Sequence, residues 1–280
     1  MPIQVQAEIR LFSQDEYYAL NHRVLRIVFD VQNEFGRLLA EELAKREIAA
    51  RCIELGIVPA EREVRIRVTH ERFTKDYYMD LLLAHGLMLE AKARDGTAPA
   101  HRTQALNYLL LAGMQHGTLV NLRTDRVEHE FVSTGLTPAA RRKFTVDDSK
   151  WVDPTPESLL LKNHLLDLIN DWGMFLELSL YREALIFSLG GAQLVNRPVE
   201  VFSNSRSLGM QTLHLLTPEI AFTLSAVTDN PTTYGSHLTR FLGHTRLRYC
   251  QWINLNHHVL ELRTLSNANA EGRQNDRQAK

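Results

Sequence analysis

YYMDLLLAHGLMLEAKA, residues 77–93, decides the fold. Its apolar runs flank one short break, Ala84-His85-Gly86, so the stretch reads as a β-hairpin: Tyr77 to Leu83 runs up and Leu87 to Ala93 runs back. Gly86 is expected to supply the positive φ that a short hairpin loop needs. With the turn centred on His85, residues that face one another have numbers summing to 170. Asp80 then faces Glu90 with Cβ atoms about 4.5–5.5 Å apart, and Lys92, two residues on, shares their face. Two opposed carboxylates in an apolar hairpin repel one another. Either the charges are solvated at a sheet edge, with Lys92 partly neutralising Glu90, or a divalent cation between them reverses the sign of the interaction.

Outward from the hairpin the pattern is α/β. Leu20, Val24, Ile27, Val28, Val31 and Phe35 form one apolar helical stripe over 16–35, closed by Gly36. A second helix is expected over 37–54, and the alternation Glu63-Val-Arg-Ile-Arg-Val-Thr69 predicts a half-buried strand. After the hairpin, Pro99 opens a helix that Gly113 stops, and strands follow at 118–122 and 128–132. The sum is a mixed sheet flanked by helices.

Residues 138–158 are polar, contain three prolines and the basic run Arg141-Arg142-Lys143, and read as a linker with a solvated edge. Beyond it the order recurs: helices over 161–172 and 175–184, strands at 199–202, 211–216 and 220–227, a helix over 233–242, then strands at 250–255 and 259–263. The halves superpose at an offset of 133–136: Lys45-Arg46-Glu47 meets Tyr181-Arg182-Glu183, and residues 119–123 meet 252–256. This predicts an internal duplication, with domains at 15–137 and 159–265 and a disordered tail at 266–280. In the second copy His214 stands for Asp80 (after a one-residue shift), Thr223 and Ser225 for Glu90 and Lys92, and His237 and Phe241 for Gln104 and Tyr108. Glu177 alone keeps its counterpart, Glu41. The chemistry is expected in the first half.

Composition narrows the class. Hydrophobic content of 44% and charged content of 23% fit a globular protein. The 32 Lys+Arg and 33 Asp+Glu balance, so no global charge draws the chain to nucleic acid; any polyanion site is local. No apolar run approaches the roughly 20 residues of a membrane span, and MPIQVQAEIRLF lacks the features of a secretory signal. A cytoplasmic protein without membrane attachment is the expectation. Cys52 and Cys250 are too few for a disulfide framework or zinc site and are expected as buried thiols.

The order Asp80, then Glu90-Ala91-Lys92 on the next strand, resembles the PD-(D/E)XK nuclease superfamily, and Gln104 with Tyr108 looks like the QxxxY element of its RecB-like branch. The surrounding text is similar to the GxxExxY family within it: AsnGluPheGly at 33–36, Glu41, GluArgGluVal at 61–64, and His101 to Leu109. Leu38 and Ala44 stand where that family's glycine and tyrosine fall, and Met79 replaces the proline before Asp80. The resemblance implies a restriction-endonuclease-like fold and hydrolysis of phosphodiester bonds in DNA. It implies Mg²⁺ (or Mn²⁺) on Asp80, Glu90 and the Ala91 carbonyl. Lys92 orients the attacking water, Glu41 reaches the metal shell through water, and Gln104 and Tyr108 fix Lys92 or a phosphate oxygen. The degenerate half would hold nucleic acid or act as an intramolecular pseudo-dimer partner. A non-catalytic nucleic-acid- or protein-binding module that keeps the fold is the competing expectation, favoured by the balanced charge and the lost signature residues.

Overall fold

The computed structural model describes residues 2–92, 99–204 and 206–268. The chain divides into two compact units, Met1–Ala140 and Arg141–Lys280. The first runs β1 (Ile3–Val5), α1 (Gln14–Phe35), α2 (Glu41–Glu54), β2 (Ala60–His70), β3 (Phe73–Leu83), β4 (Leu87–Lys92), α3 (Pro99–Ala112), β5 (His116–Asn121) and β6 (Glu128–Ser133). Its six strands lie in sequence order, all antiparallel except β4 and β5, which are parallel.

Local chemistry sets the boundaries. α1 starts two residues earlier than its apolar stripe suggests because Ser13 and Glu16 form a reciprocal capping box: the Ser13 hydroxyl accepts the Glu16 N–H, and the Glu16 carboxylate accepts the Ser13 N–H at 2.9 Å. α2 begins at Glu41 rather than 37, since Ala40 is still extended and the acidic pair Glu41-Glu42 favours the helix N-terminus. Val24, Val28, Val31, Ile48 and Cys52 of these helices pack on Leu81, Leu83, Leu87, Leu89 and Ala91. Each fully buried aliphatic side chain there contributes about 1.5–3 kcal/mol. Burial pushes the Cys52 thiol up to about 11. Met88 and the α3 residue Leu109 close over Gly117 on the other face of the sheet from Leu87 and Leu89.

The hairpin has the expected register: Leu81↔Leu89, Leu82↔Met88 and Leu83↔Leu87. Its turn differs. Ala84 and His85, not Gly86, carry the positive φ values, 48° and 63°, as a type I′ geometry requires. The glycine answers a different need, because a Cβ at Gly86 would lie 2.6 Å from the Phe12 ring.

The second unit follows a short helical turn, α4 (Pro138–Arg141). It runs β7 (Thr145–Lys150), α5 (Pro156–Trp172), α6 (Leu178–Ser188), α7 (Ala192–Val195), β8 (Asn196–Ser203), β9 (Arg206–Thr217), β10 (Ile220–Ser225), α8 (Pro231–Leu242), β11 (Tyr249–Asn256) and β12 (Val259–Ser266). The sheet order is β7-β12-β11-β10-β9-β8. Five strands repeat the first unit: β8 to β12 stand where β2 to β6 do, and β10–β11 is parallel as β4–β5 is. β4 and β10 begin 133 residues apart. The buried face of α2 (Ala44, Lys45, Ile48, Ala49) maps onto that of α6 (Leu180, Tyr181, Ala184, Leu185) at a constant offset of 136. The sixth strand sits at opposite edges, β1 beside β2 and β7 beside β12.

The stretch expected as a linker is largely ordered secondary structure. Within 138–158, β7 pairs in parallel with β12, and Pro156 opens α5. All six β7 residues are exposed, so no apolar alternation marks it; pairing to the β12 backbone makes the strand. Arg141 is not a solvated linker edge but 2% exposed, its guanidinium donating to the Trp172 carbonyl at 2.8 Å. The expected tail begins inside β12 at Ser266, and Asn267 is buried with its amide on the Leu242 and Leu247 carbonyls. The remainder of that tail, 269–280, lies outside the described residues.

Gly36 and Gly173 close α1 and α5 with φ/ψ of 72°/176° and 82°/178°, a region open essentially to glycine alone. At Gly173 a Cβ would also lie 2.8 Å from Arg141 Cβ and 3.0 Å from the Arg141 carbonyl carbon. Gly173→Ala is therefore expected to cost about 2–4 kcal/mol, seen as a lower urea midpoint with an unchanged m-value. A midpoint equal to that of wild type would refute the clash.

Candidate active site

The β3–β4 ladder runs from the turn to Leu81↔Leu89. One residue further, side chains take over the backbone hydrogen bonds. Glu90 Oε1 accepts the Asp80 N–H at 3.0 Å, and Asp80 Oδ2 accepts the Ala91 N–H at 2.9 Å. The strands part there and the two carboxylates fill the gap. Lys92 Nζ lies 3.4 Å from Glu90 Oε2 and 3.5 Å from Asp80 Oδ2. The Glu90, Asp80 and Lys92 side chains are only 2%, 10% and 14% exposed, so their charges interact with little water between them. Burial, reinforced by the Asp80 charge and opposed by Lys92, pushes the Glu90 carboxyl up to about 8.

A second lysine completes the cluster. Lys45 lies on the buried face of α2 between Ala44 and Ile48. Its ammonium donates to Glu63 and, at 3.1 Å, to Asp80 Oδ1, and pairs with Glu42 at 3.3 Å. Burial disfavours that charge, but the Glu63 hydrogen bond and the Asp80 charge outweigh it and hold the ammonium above its ordinary pKa. Glu63 adopts φ +52°, an uncommon value for a non-glycine residue. No motif in the sequence marks Lys45 or Glu63; the one signal is a lysine inside an otherwise apolar helical stripe.

The other expected residues lie on neighbouring elements. Glu41 is the first residue of α2, half-buried and one turn ahead of Lys45. Gln104 Nε2 donates to the Tyr108 hydroxyl at 2.8 Å, and Tyr108 packs edge-on against Tyr77 with centroids 5.9 Å apart. The geometry thus joins Gln104 and Tyr108 to each other and to the β3 ring. Asn121, in register with Lys92 across β4–β5, is fully buried. Its Oδ1 accepts the Arg123 N–H at 3.1 Å, which leaves Nδ2 as a buried donor with no partner.

Among the described residues no group of three or more His, Cys, Asp and Glu side chains is placed to hold a metal ion. A cation here would rest on the two carboxylates, a backbone oxygen and water. The Lys92 carbonyl accepts the Leu122 N–H on the β5 side, so alternation turns the Ala91 carbonyl to the opposite side, toward the parted β3. Such an all-oxygen set fits a hard divalent ion that keeps several waters. Two ammonium groups already standing within 3.5 Å of the carboxylates show that the pocket calls for positive charge.

In the second unit the corresponding place has other chemistry. Ser225, at the Lys92 position, donates to Asn254 Oδ1 and accepts from the Trp252 indole. A bulge between Ile220 and Ala221 sets His214 opposite Phe222, as Leu81 lies opposite Leu89, rather than at the Asp80 position assumed from the sequence. Tyr181, at the Lys45 position, is fully buried and donates to the Gly173 carbonyl.

No helix among the described residues is long and apolar enough to cross a membrane. No curated protein and no solved structure matches the chain. Residues 18–133, the span from α1 to β6 that carries both carboxylates and both lysines, match the family model of the PD-(D/E)XK nuclease superfamily.

Proposed function

We propose that the first unit is a metal-dependent nuclease that hydrolyses phosphodiester bonds of DNA, with Mg²⁺ as the resident ion and Mn²⁺ as a working substitute. The observation that carries this reading is the parting of β3 and β4 at Asp80 and Glu90, which gathers two carboxylates and Lys92 within 3.5 Å. The matched superfamily is generally dependent on divalent metals. Asp80, Glu90 and the Ala91 carbonyl are the proposed ligands. A cation held there supplies the charge that activates water and offsets the developing negative charge on the phosphate.

The protein's own groups do the rest. Lys92, beside both carboxylates, holds the attacking water and steadies a phosphate oxygen. Glu41 reaches this shell through water, and the Gln104–Tyr108 pair orients phosphate or Lys92 from α3. We place the unit in the GxxExxY branch on Glu41 and the stretch 101–109. We read the second unit as its degenerate copy, serving as a pseudo-dimer partner or as added nucleic-acid surface.

A second reading, a non-catalytic binding module that keeps the fold, draws support from Lys45, whose ammonium already satisfies Asp80. One assay separates the two. Linear, nicked and single-stranded DNA are incubated with Mg²⁺ or Mn²⁺ and either wild type or Lys92→Met. Cleavage by wild type, reduced about 10²–10³-fold in the variant, is the expected result. Equal cleavage by both proteins would assign the activity to a contaminant.

A further inference from the structure

Both Asp80 oxygens are engaged: Oδ2 by the Ala91 N–H and Lys92, and Oδ1 by Lys45 at 3.1 Å. The backbone bond fixes the carboxylate's orientation, so a divalent ion on Oδ1 would share that oxygen with the Lys45 ammonium, and their repulsion is relieved only when Lys45 moves away. Lys45 has somewhere to go. Glu63 and Glu42 also hold its ammonium, and both are about half exposed, so they can follow it toward solvent. In the second unit, where Thr223 and Ser225 stand at the Glu90 and Lys92 positions, the lysine is absent too and Tyr181 takes its place. The lysine goes with the carboxylates.

We propose that Lys45 is an internal counter-cation that competes directly with the divalent ion for Asp80, so that metal entry requires its transfer to Glu63 and Glu42. This rests on the reading of Asp80 and Glu90 as metal ligands. The ammonium keeps the buried carboxylates compensated in the metal-free protein, and it sets the threshold concentration at which the site loads. Repulsion between a unit positive charge and a divalent ion a few ångströms apart makes removal of the lysine worth at least about a tenfold gain in affinity.

The test is calorimetric titration of the full chain with Mn²⁺ alone, for wild type, Lys45→Met, Lys45→Gln and the double variant Lys45→Met/Asp80→Asn. Lys45→Gln keeps a donor for Glu63 and Asp80, and so serves should the methionine variant fail to fold. Circular dichroism verifies folding of each protein. The expected result is binding at least about tenfold tighter in the folded single variants, and none in the double variant. In wild type, the Lys45 ammonium ¹⁵N resonance is expected to move on Mn²⁺-free titration with Mg²⁺. Unchanged or weaker Mn²⁺ affinity in the single variants, beside Asp80-dependent binding in wild type, overturns the competition and leaves the metal site standing. Binding that survives Asp80→Asn, or no binding by any protein, overturns the underlying reading as well.

Discussion

Asp80→Asn is expected to abolish divalent-ion binding and to reduce DNA hydrolysis by more than the roughly 10–100-fold seen when only an outer partner of a metal ligand is lost. The substitution is close to isosteric, and the asparagine carbonyl can still accept the Ala91 N–H that Asp80 Oδ2 accepts now. What disappears is the charge that faces Lys45 at 3.1 Å and Lys92 at 3.5 Å. Lys45 keeps Glu63 and Glu42, and Lys92 keeps Glu90, so the fold survives with a modest loss of stability. Calorimetry with Mg²⁺ and a DNA cleavage assay on the same preparation measure both effects. Heats matching those of wild type would take Asp80 out of the metal site.

The second large effect concerns pH. The Glu90 carboxyl is pushed up to about 8 in the folded protein, chiefly by burial and then by the Asp80 charge. Between its ordinary value near 4.5 and about 8, the folded state therefore binds a proton that the unfolded chain has released. Under that condition unfolding free energy falls as pH rises across the window, and levels off above it. Glu90→Gln, whose amide oxygen can still accept the Asp80 N–H, removes this dependence. Urea unfolding at pH 5, 6.5 and 8 in the absence of metal should show wild type losing on the order of a few kcal/mol relative to the variant. His116 and His214 have lowered pKa values through burial and act in the opposite direction at the acid end of the window. They are common to both proteins and cancel in the difference. Parallel pH profiles for wild type and Glu90→Gln would show that Glu90 ionises freely where it is. Saturating Mg²⁺ should flatten the wild-type slope, because a cation favours the carboxylate form.

The hairpin was legible because period-2 alternation and turn position together determine a register, and a register dictates which polar residues face one another. Asp80, Glu90 and Lys92 could be placed from numbers alone for that reason. The turn's φ values could not, since Ala84 and His85 are unremarkable in sequence and Gly86 is there to make room for Phe12. Lys45 and Glu63 were hidden for another reason: their meeting depends on how α2 lies against β2 and β3, and on a left-handed residue inside a strand. β7 escaped because its residues bury nothing, and the β12 backbone supplies its partner. The repeated element order was legible from the hydrophobic pattern, whereas the bulge after Ile220, which shifts His214 by one position, leaves no mark in the sequence.

The opposite placement of the two sixth strands determines which rim of each sheet is left bare. β1 and β7 both precede the first long helix of their units, yet one covers the β2 rim and the other the β12 rim; among the described residues β6 and β8 have no strand on their outer sides. Bare rims invite a foreign strand, and each has its own deterrent. β6 carries Glu128 and Glu130, and β8 carries Pro198, which offers no N–H to an incoming chain. The deterrent to edge-to-edge aggregation thus differs between the halves, charge in one and an imino acid in the other.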